Sequence, residues 1–134
     1  MKIVLDTNII VSALLSPSGN SARILTFVLD GIITLVYDNK ILVEYIDVLN
    51  RKKLKINNEL ANLVIDFISK EGEFRIAGPQ KAKFDDEDDR IFYELYKSDG
   101  IDFLVTGNTR HFPREKGIVS PKKFLEEISG ISLF

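Results

Sequence analysis

The N-terminal stretch Ile3-Val4-Leu5 is an apolar, partly β-branched run that stops on a carboxylate, Asp6. Such a run suits a strand buried on both faces of a sheet, since a strand with one wet face alternates apolar and polar residues. An ionised Asp at the end of a buried strand costs on the order of several kcal/mol unless something pairs with it. The chain is therefore expected to build a covered sheet and to bring a partner or a cation to the edge where Asp6 emerges.

The rest of the sequence alternates strand-like runs with segments of helical spacing. A turn cluster, Ser16-Pro17-Ser18-Gly19-Asn20, precedes a helical pattern over Ala22 to Leu29, so the opening reads strand, loop, helix. Ile32 to Tyr37 is a second strand, closed by Asp38-Asn39, whose short side chains can cap a helix. Ile41, Leu42, Tyr45, Val48 and Leu49 then recur at helical spacing, with Glu44 and Asp47 on another side. Asn57 to Lys70 predicts an amphipathic helix that Gly72 ends before a short run, Phe74-Arg75-Ile76.

Five acids, Asp85 to Asp89, lead straight into the helical segment Arg90 to Tyr96. Phe103 to Thr106 reads as a strand turned by Gly107-Asn108, Gly117-Ile118-Val119 as a weaker one, and Ser120-Pro121 opens a last helix through Phe124, Leu125 and Ile128. Strands alternating with helices imply right-handed crossovers and a mostly parallel sheet with helices on both faces. Such folds bind ligands beyond the carboxyl ends of their strands, the edge that Asp6 and Asn108 would share.

Length and composition narrow the function. The 134 residues fit one domain, 1–134, and 45% hydrophobic with 28% charged residues is the balance of a globular protein. Cys is absent and His111 is the single histidine, so any metal must be held by oxygen rather than by thiolates or several imidazoles. The apolar runs are too short to span a bilayer and the N-terminus lacks the order of a signal peptide, so a cytoplasmic protein with no membrane partner is expected. Net charge is −2, which gives no global pull toward phosphate. The basic clusters Arg51-Lys52-Lys53 with Lys55, and Lys122-Lys123, read singly as solvated helix ends or turns.

The acids carry the chemistry. Acids at a helix N-terminus are stabilised by the macrodipole, about 0.3–1 kcal/mol each, which accounts for one or two of the five but not for a run whose members repel. Carboxylates gathered at one sheet edge with no thiolate or imidazole partners suit a hard divalent cation, Mg²⁺ or Mn²⁺, and metal-dependent phosphodiester hydrolysis is the reaction such a site favours.

Asp6-Thr7-Asn8 after the first strand, Glu44 in "DNKILVEYIDVL", the acids of "FDDEDDRIFYEL" and then "FLVTGN" resemble, in order, the four acidic motifs of the PIN-domain nucleases. Within that superfamily "VTGN", "HFP" and "VSPKKFLEEI" are similar to the branch of toxin components of toxin–antitoxin pairs. The resemblance implies an α/β/α sandwich around a parallel sheet and a Mg²⁺ or Mn²⁺ site that cuts single-stranded RNA. It makes Asp6 the first metal-binding acid, Glu44 the second and Asp89 the third. Asp85 is next in line for the third position, Asp88 lies one residue away, and Asp86 shares the earlier turn.

Asn108 stands where many PIN domains carry a fourth Asp, so charge is missing there. Thr7 and Asn8 would support Asp6 or a metal water, Thr106 would orient the third acid or serve as an ordinary strand residue, and Arg110 would meet substrate phosphate. His111 reads first as a surface imidazole. The resemblance also implies a small antitoxin partner and a homodimer, and the apolar tail Ile131-Ser132-Leu133-Phe134 suits either an interface or docking on its own core.

Two other classes compete. A catalytically weak or inactive RNA-binding or interaction module on the same fold is favoured by Asn108 and opposed by the retained acids. A small-molecule phosphatase with Asp6 as nucleophile would want a second Asp two positions on, where this chain has Asn8.

Overall fold

A computed structural model describes residues 1–131, so residues 132–134 of the apolar tail lie outside the described residues. The sheet has five strands, all parallel: β1 (Lys2–Leu5), β2 (Thr34–Tyr37), β3 (Glu73–Phe74), β4 (Phe103–Val105) and β5 (Ile118–Val119), in the order β3-β2-β1-β4-β5. Ile3, Val4 and Leu5 are fully buried, as a central strand covered on both faces requires.

Among the described residues six helices cover the sheet: α1 (Thr7–Leu15), α2 (Asn20–Leu29), α3 (Asn39–Leu49), α4 (Asn58–Glu71), α5 (Arg90–Tyr96) and α6 (Pro121–Ile128). α2 packs on α1 and α6, and α3 on α4 and α5, so the sheet lies within a three-layer α/β/α sandwich.

The opening has one element more than the strand, loop, helix reading: α1 begins at the residue after Asp6 and ends before the turn at Ser16 to Gly19. Ile9-Ile10-Val11 is β-branched and favours strand by propensity, yet Ile9, Ile10 and Ala13 point into the core and α1 packs closely on α2. Tertiary burial overrides local preference here.

β1 lies at the middle of the order, with β2 on one side and β4 on the other. The crossovers from β1 to β3 build outward in one direction and those to β4 and β5 in the other, so the chain reverses between β1 and β4. The crevice beyond the carboxyl ends of these two strands is where ligands enter sheets of this kind. Asp6 and Thr106 are the first residues past them.

Candidate active site

Asp6 continues the ladder past β1, its N–H donating to the Val105 carbonyl at 3.0 Å, and this holds its side chain opposite Thr106. The fully buried Thr106 hydroxyl donates to the Asp6 carboxylate at 2.7 Å and accepts the Asn108 N–H at 3.0 Å. Thr106 thus orients the first acid and not the third, correcting its expected role. Asn8 does not reach Asp6 with its side chain, which instead accepts the Gly107 N–H at 3.2 Å and ties α1 to the turn after β4. The buried Thr7 hydroxyl has no hydrogen-bond partner.

Asp6 retains only 7% of its surface, and burial pushes its pKa up, against the pull of Thr106 and the Thr7 and Asn8 amides. Asp89 carries the larger disturbance: its pKa is raised from 3.8 to about 6, first by burial, then by the charges of Asp6 and Asp86. One Asp89 carboxylate oxygen is buried without a hydrogen bond, and the His111 Nδ1 stands 3.5 Å from it. Burial and the charges of Asp88, Asp47 and Asp6 also raise Glu44, with Arg51 opposing. The fold therefore brings Asp6, Asp89 and Glu44 into one electrostatic neighbourhood although they come from three separate parts of the chain.

The acidic run divides by role. The Asp86 side chain accepts the Asp88 N–H at 2.9 Å, capping the short 3-10 turn Glu87–Asp89 that enters α5. Glu87 pairs with Arg90 at 2.5 Å. Arg90 in turn donates to the Gln80 and Ala82 carbonyls, each at 2.7 Å, and lies over the Phe84 ring. Those two acids serve local structure. Asp85 is exposed, one residue before the Asp86 cap. Asn108 and Arg110 are exposed on the turn after β4.

A family model described as PIN domain matches residues 2–110. The chain belongs to the PIN domain family. No curated protein and no solved structure matches it. The PIN domain is a nuclease-type fold, and the three-layer sandwich with its crevice beyond β1 and β4 agrees with that assignment.

PIN nucleases typically use divalent metals, and the residues of this PIN domain can be tested for fit. Among the described residues no three of His, Asp and Glu are close enough to share one ion, so an ion here would rest on two carboxylates at most, and Asp6 is the acid whose charge acts on both Asp89 and Glu44. A pair suffices for a hard cation that retains waters and takes one or two carboxylates. The donors are all oxygen, they repel one another, and the unbonded Asp89 oxygen lacks a donor that a cation would replace. The residues fit the ion.

Two residues contribute in ways that the sequence reading did not assign to them. Tyr45, indistinguishable there from an apolar core position, is buried and donates to the Leu5 carbonyl at 2.5 Å. That bond docks α3 at the carboxyl end of β1 and so sets Glu44, its neighbour, against the crevice. His111, read first as a surface imidazole, faces Asp89 because the 3-10 turn Thr109–His111 folds back after β4. Its position three residues past Asn108 is the only sequence signal for either.

Proposed function

We propose that this PIN domain is a metal-dependent ribonuclease that hydrolyses phosphodiester bonds of single-stranded RNA, acting as the toxin of a toxin–antitoxin pair. The observation that carries the chemistry is the buried Asp6 beside the half-buried Asp89 at the switch point of the sheet, with one Asp89 oxygen lacking a hydrogen bond and the Asp89 pKa raised to about 6. An anionic pocket of that kind, otherwise unfavourable, is explained by a cation. The RNA substrate and the toxin role rest on the resemblance of the motifs to that branch of the family.

Asp6 and Asp89 would hold the ion and Glu44 would reach it through water. Mg²⁺ or Mn²⁺ bound there would make water a nucleophile at neutral pH and offset charge developing on the phosphate. Thr106 keeps the Asp6 carboxylate in one orientation, which removes a reorganisation cost at the moment of reaction. His111 favours the ionised form of Asp89, the form that binds a cation. Asn108 adds no charge, and its amide contributes at most an oxygen to the rim.

The test is incubation of purified protein with mixed single-stranded RNAs in Mg²⁺, in Mn²⁺ and in chelator, with Asp6→Asn alongside. Cleavage that needs metal and is lost in the variant is the expected result. Cleavage by Asp6→Asn at the parental rate would overturn it, and absence of cleavage by folded, antitoxin-free protein would favour the binding module.

A further inference from the structure

A second feature begins where the acidic crevice ends. The turn Thr109–His111, whose imidazole faces Asp89, opens into a cleft of about 790 Å³ between the 109–116 segment, the edge strand β5 and α6. Its wall carries Arg110, Arg114, Lys116 and Lys123, all exposed, against two acids, Glu115 and Glu127.

The two acids are already engaged. Glu115 accepts from the Tyr93 hydroxyl and pairs with Lys97 at 2.9 Å, while Glu127 lies 3.4 Å from Lys123. Among the described residues Arg110, Arg114 and Lys116 have no carboxylate within ion-pair distance. Three free cations therefore line one cleft in a chain whose net charge is −2. A concentration of unpaired cations against the overall charge marks an anion-binding surface.

The kind of anion follows from how the charges are laid out. Phe112, Ile118 and Val119 form the floor and keep only 7%, 8% and 5% of their surface, while the exposed cations stand on the rim above them. The cleft offers point charges along a path, which suits a repeating phosphate backbone.

We propose that this cleft is the track that holds the phosphate backbone of single-stranded RNA next to the Asp6–Asp89 crevice, with Arg110, Arg114 and Lys116 contacting phosphates. The proposal rests on the ribonuclease reading for its ligand. It adds a binding surface that the acidic site does not supply. The acidic crevice repels a polyanion, so a neighbouring cationic track is what keeps the strand there.

The test uses Asp6→Asn protein in chelator, so that nothing is cleaved, and measures binding of a short labelled oligouridylate by fluorescence anisotropy over a series of KCl concentrations. Arg114→Gln with Lys116→Gln is compared with a control pair, Lys52→Gln with Lys53→Gln, on the turn after α3. The cleft pair is expected to weaken binding about tenfold at low salt and to flatten the slope of log K against log salt by about 1.4, two contacts at roughly 0.7 each. The control pair is expected to change neither.

Equal loss in both pairs, or no loss in the cleft pair, would overturn the track. Polyglutamate binding the cleft more tightly than the oligouridylate would overturn the choice of RNA in favour of an acidic peptide. The cleft pair is also placed in otherwise wild-type protein and assayed with Mn²⁺. Binding loss in a protein that never cleaves RNA keeps the track and refutes the ribonuclease, whereas cleavage with unaltered binding in the cleft pair does the reverse.

Discussion

Asp6 and Asp38 occupy equivalent places: each is the first residue past a parallel strand, each precedes a helix, and they keep 7% and 8% of their surface. Asp38 spends its carboxylate on the helix it introduces, accepting the Ile41 N–H at 2.8 Å as the cap of α3. Asp6 makes no side-chain cap bond to α1, although the Thr7 and Asn8 amides still favour its ionised form, and its one side-chain partner is the Thr106 hydroxyl across the sheet edge. The difference lies in the sheet. Asp38 follows β2, where the chain continues outward, whereas Asp6 follows β1 at the reversal, where a crevice opens and other elements deliver acids. Burial of an Asp at a strand end is thus no sign of function until its carboxylate is seen not to be spent on capping its own helix.

The sharpest way to break the comparison is to neutralise each member. On the proposed reading Asp6→Asn lowers metal-dependent cleavage by at least about a hundredfold, the scale on which losing one charge-stabilising group acts in an active site. Stability is expected to hold or rise, because the buried charge is removed. Gel assays of cleavage with thermal melts on the same protein check both halves.

Asp89→Asn separates function from stability further. Folded Asp89 titrates near 6 and an ordinary Asp near 3.8, so between those values the folded state keeps a proton that the unfolded state has released. Stability therefore falls as pH rises through that window and stays lower above it. Asp89→Asn removes the fall: its melting temperature should exceed that of the parent at pH 7 and match it near pH 4, while cleavage is lost. Mg²⁺ or Mn²⁺ should stabilise the parent more at pH 7 than at pH 5, and the variant little at either. A parent whose melting temperature ignores both metal and pH would break the pairing of Asp6 with Asp89.

Thr106→Val keeps the volume of a fully buried side chain and deletes the hydroxyl that aims Asp6. The expected loss is about 10–100-fold in activity or metal affinity, the range for partners that orient a ligand, with recovery in Thr106→Ser. Equal activity in Val and Ser variants would mean that backbone geometry alone orients Asp6.

How much of this was legible in the sequence depended on distance along the chain. β1 and the exit of Asp6 were readable because an apolar run ending on a charge is a local pattern, and Asp38-Asn39 as a cap before α3 for the same reason. α1 was not, since Ile9-Ile10-Val11 carries strand propensity and becomes helical through packing on α2. The acidic run showed too many acids for a helix end. Only the folded arrangement separates Asp86 and Glu87, which cap and pair locally, from Asp89, which meets Asp6. Thr106 reaches Asp6 across 100 residues and Tyr45 reaches Leu5 across 40, contacts for which a hydroxyl in an apolar pattern is no signal.

The smallest effect completes the comparison. Asp38→Ala removes one cap and is expected to cost about 1 kcal/mol, which lowers the melting temperature by about 4 °C in a chain of this size. α3 also carries Tyr45 and Glu44, so the question is whether loosening its first turn disturbs the crevice. The Tyr45 bond to Leu5 lies about two turns beyond Asp38 and anchors the helix independently, so cleavage by Asp38→Ala should stay within about twofold of the parent once both are assayed below their melting transitions. A loss comparable to that of Thr106→Val would show that the cap of α3, and not the tyrosine, sets the position of Glu44. The two strand-end aspartates would then be parts of one device rather than a structural and a functional use of the same position.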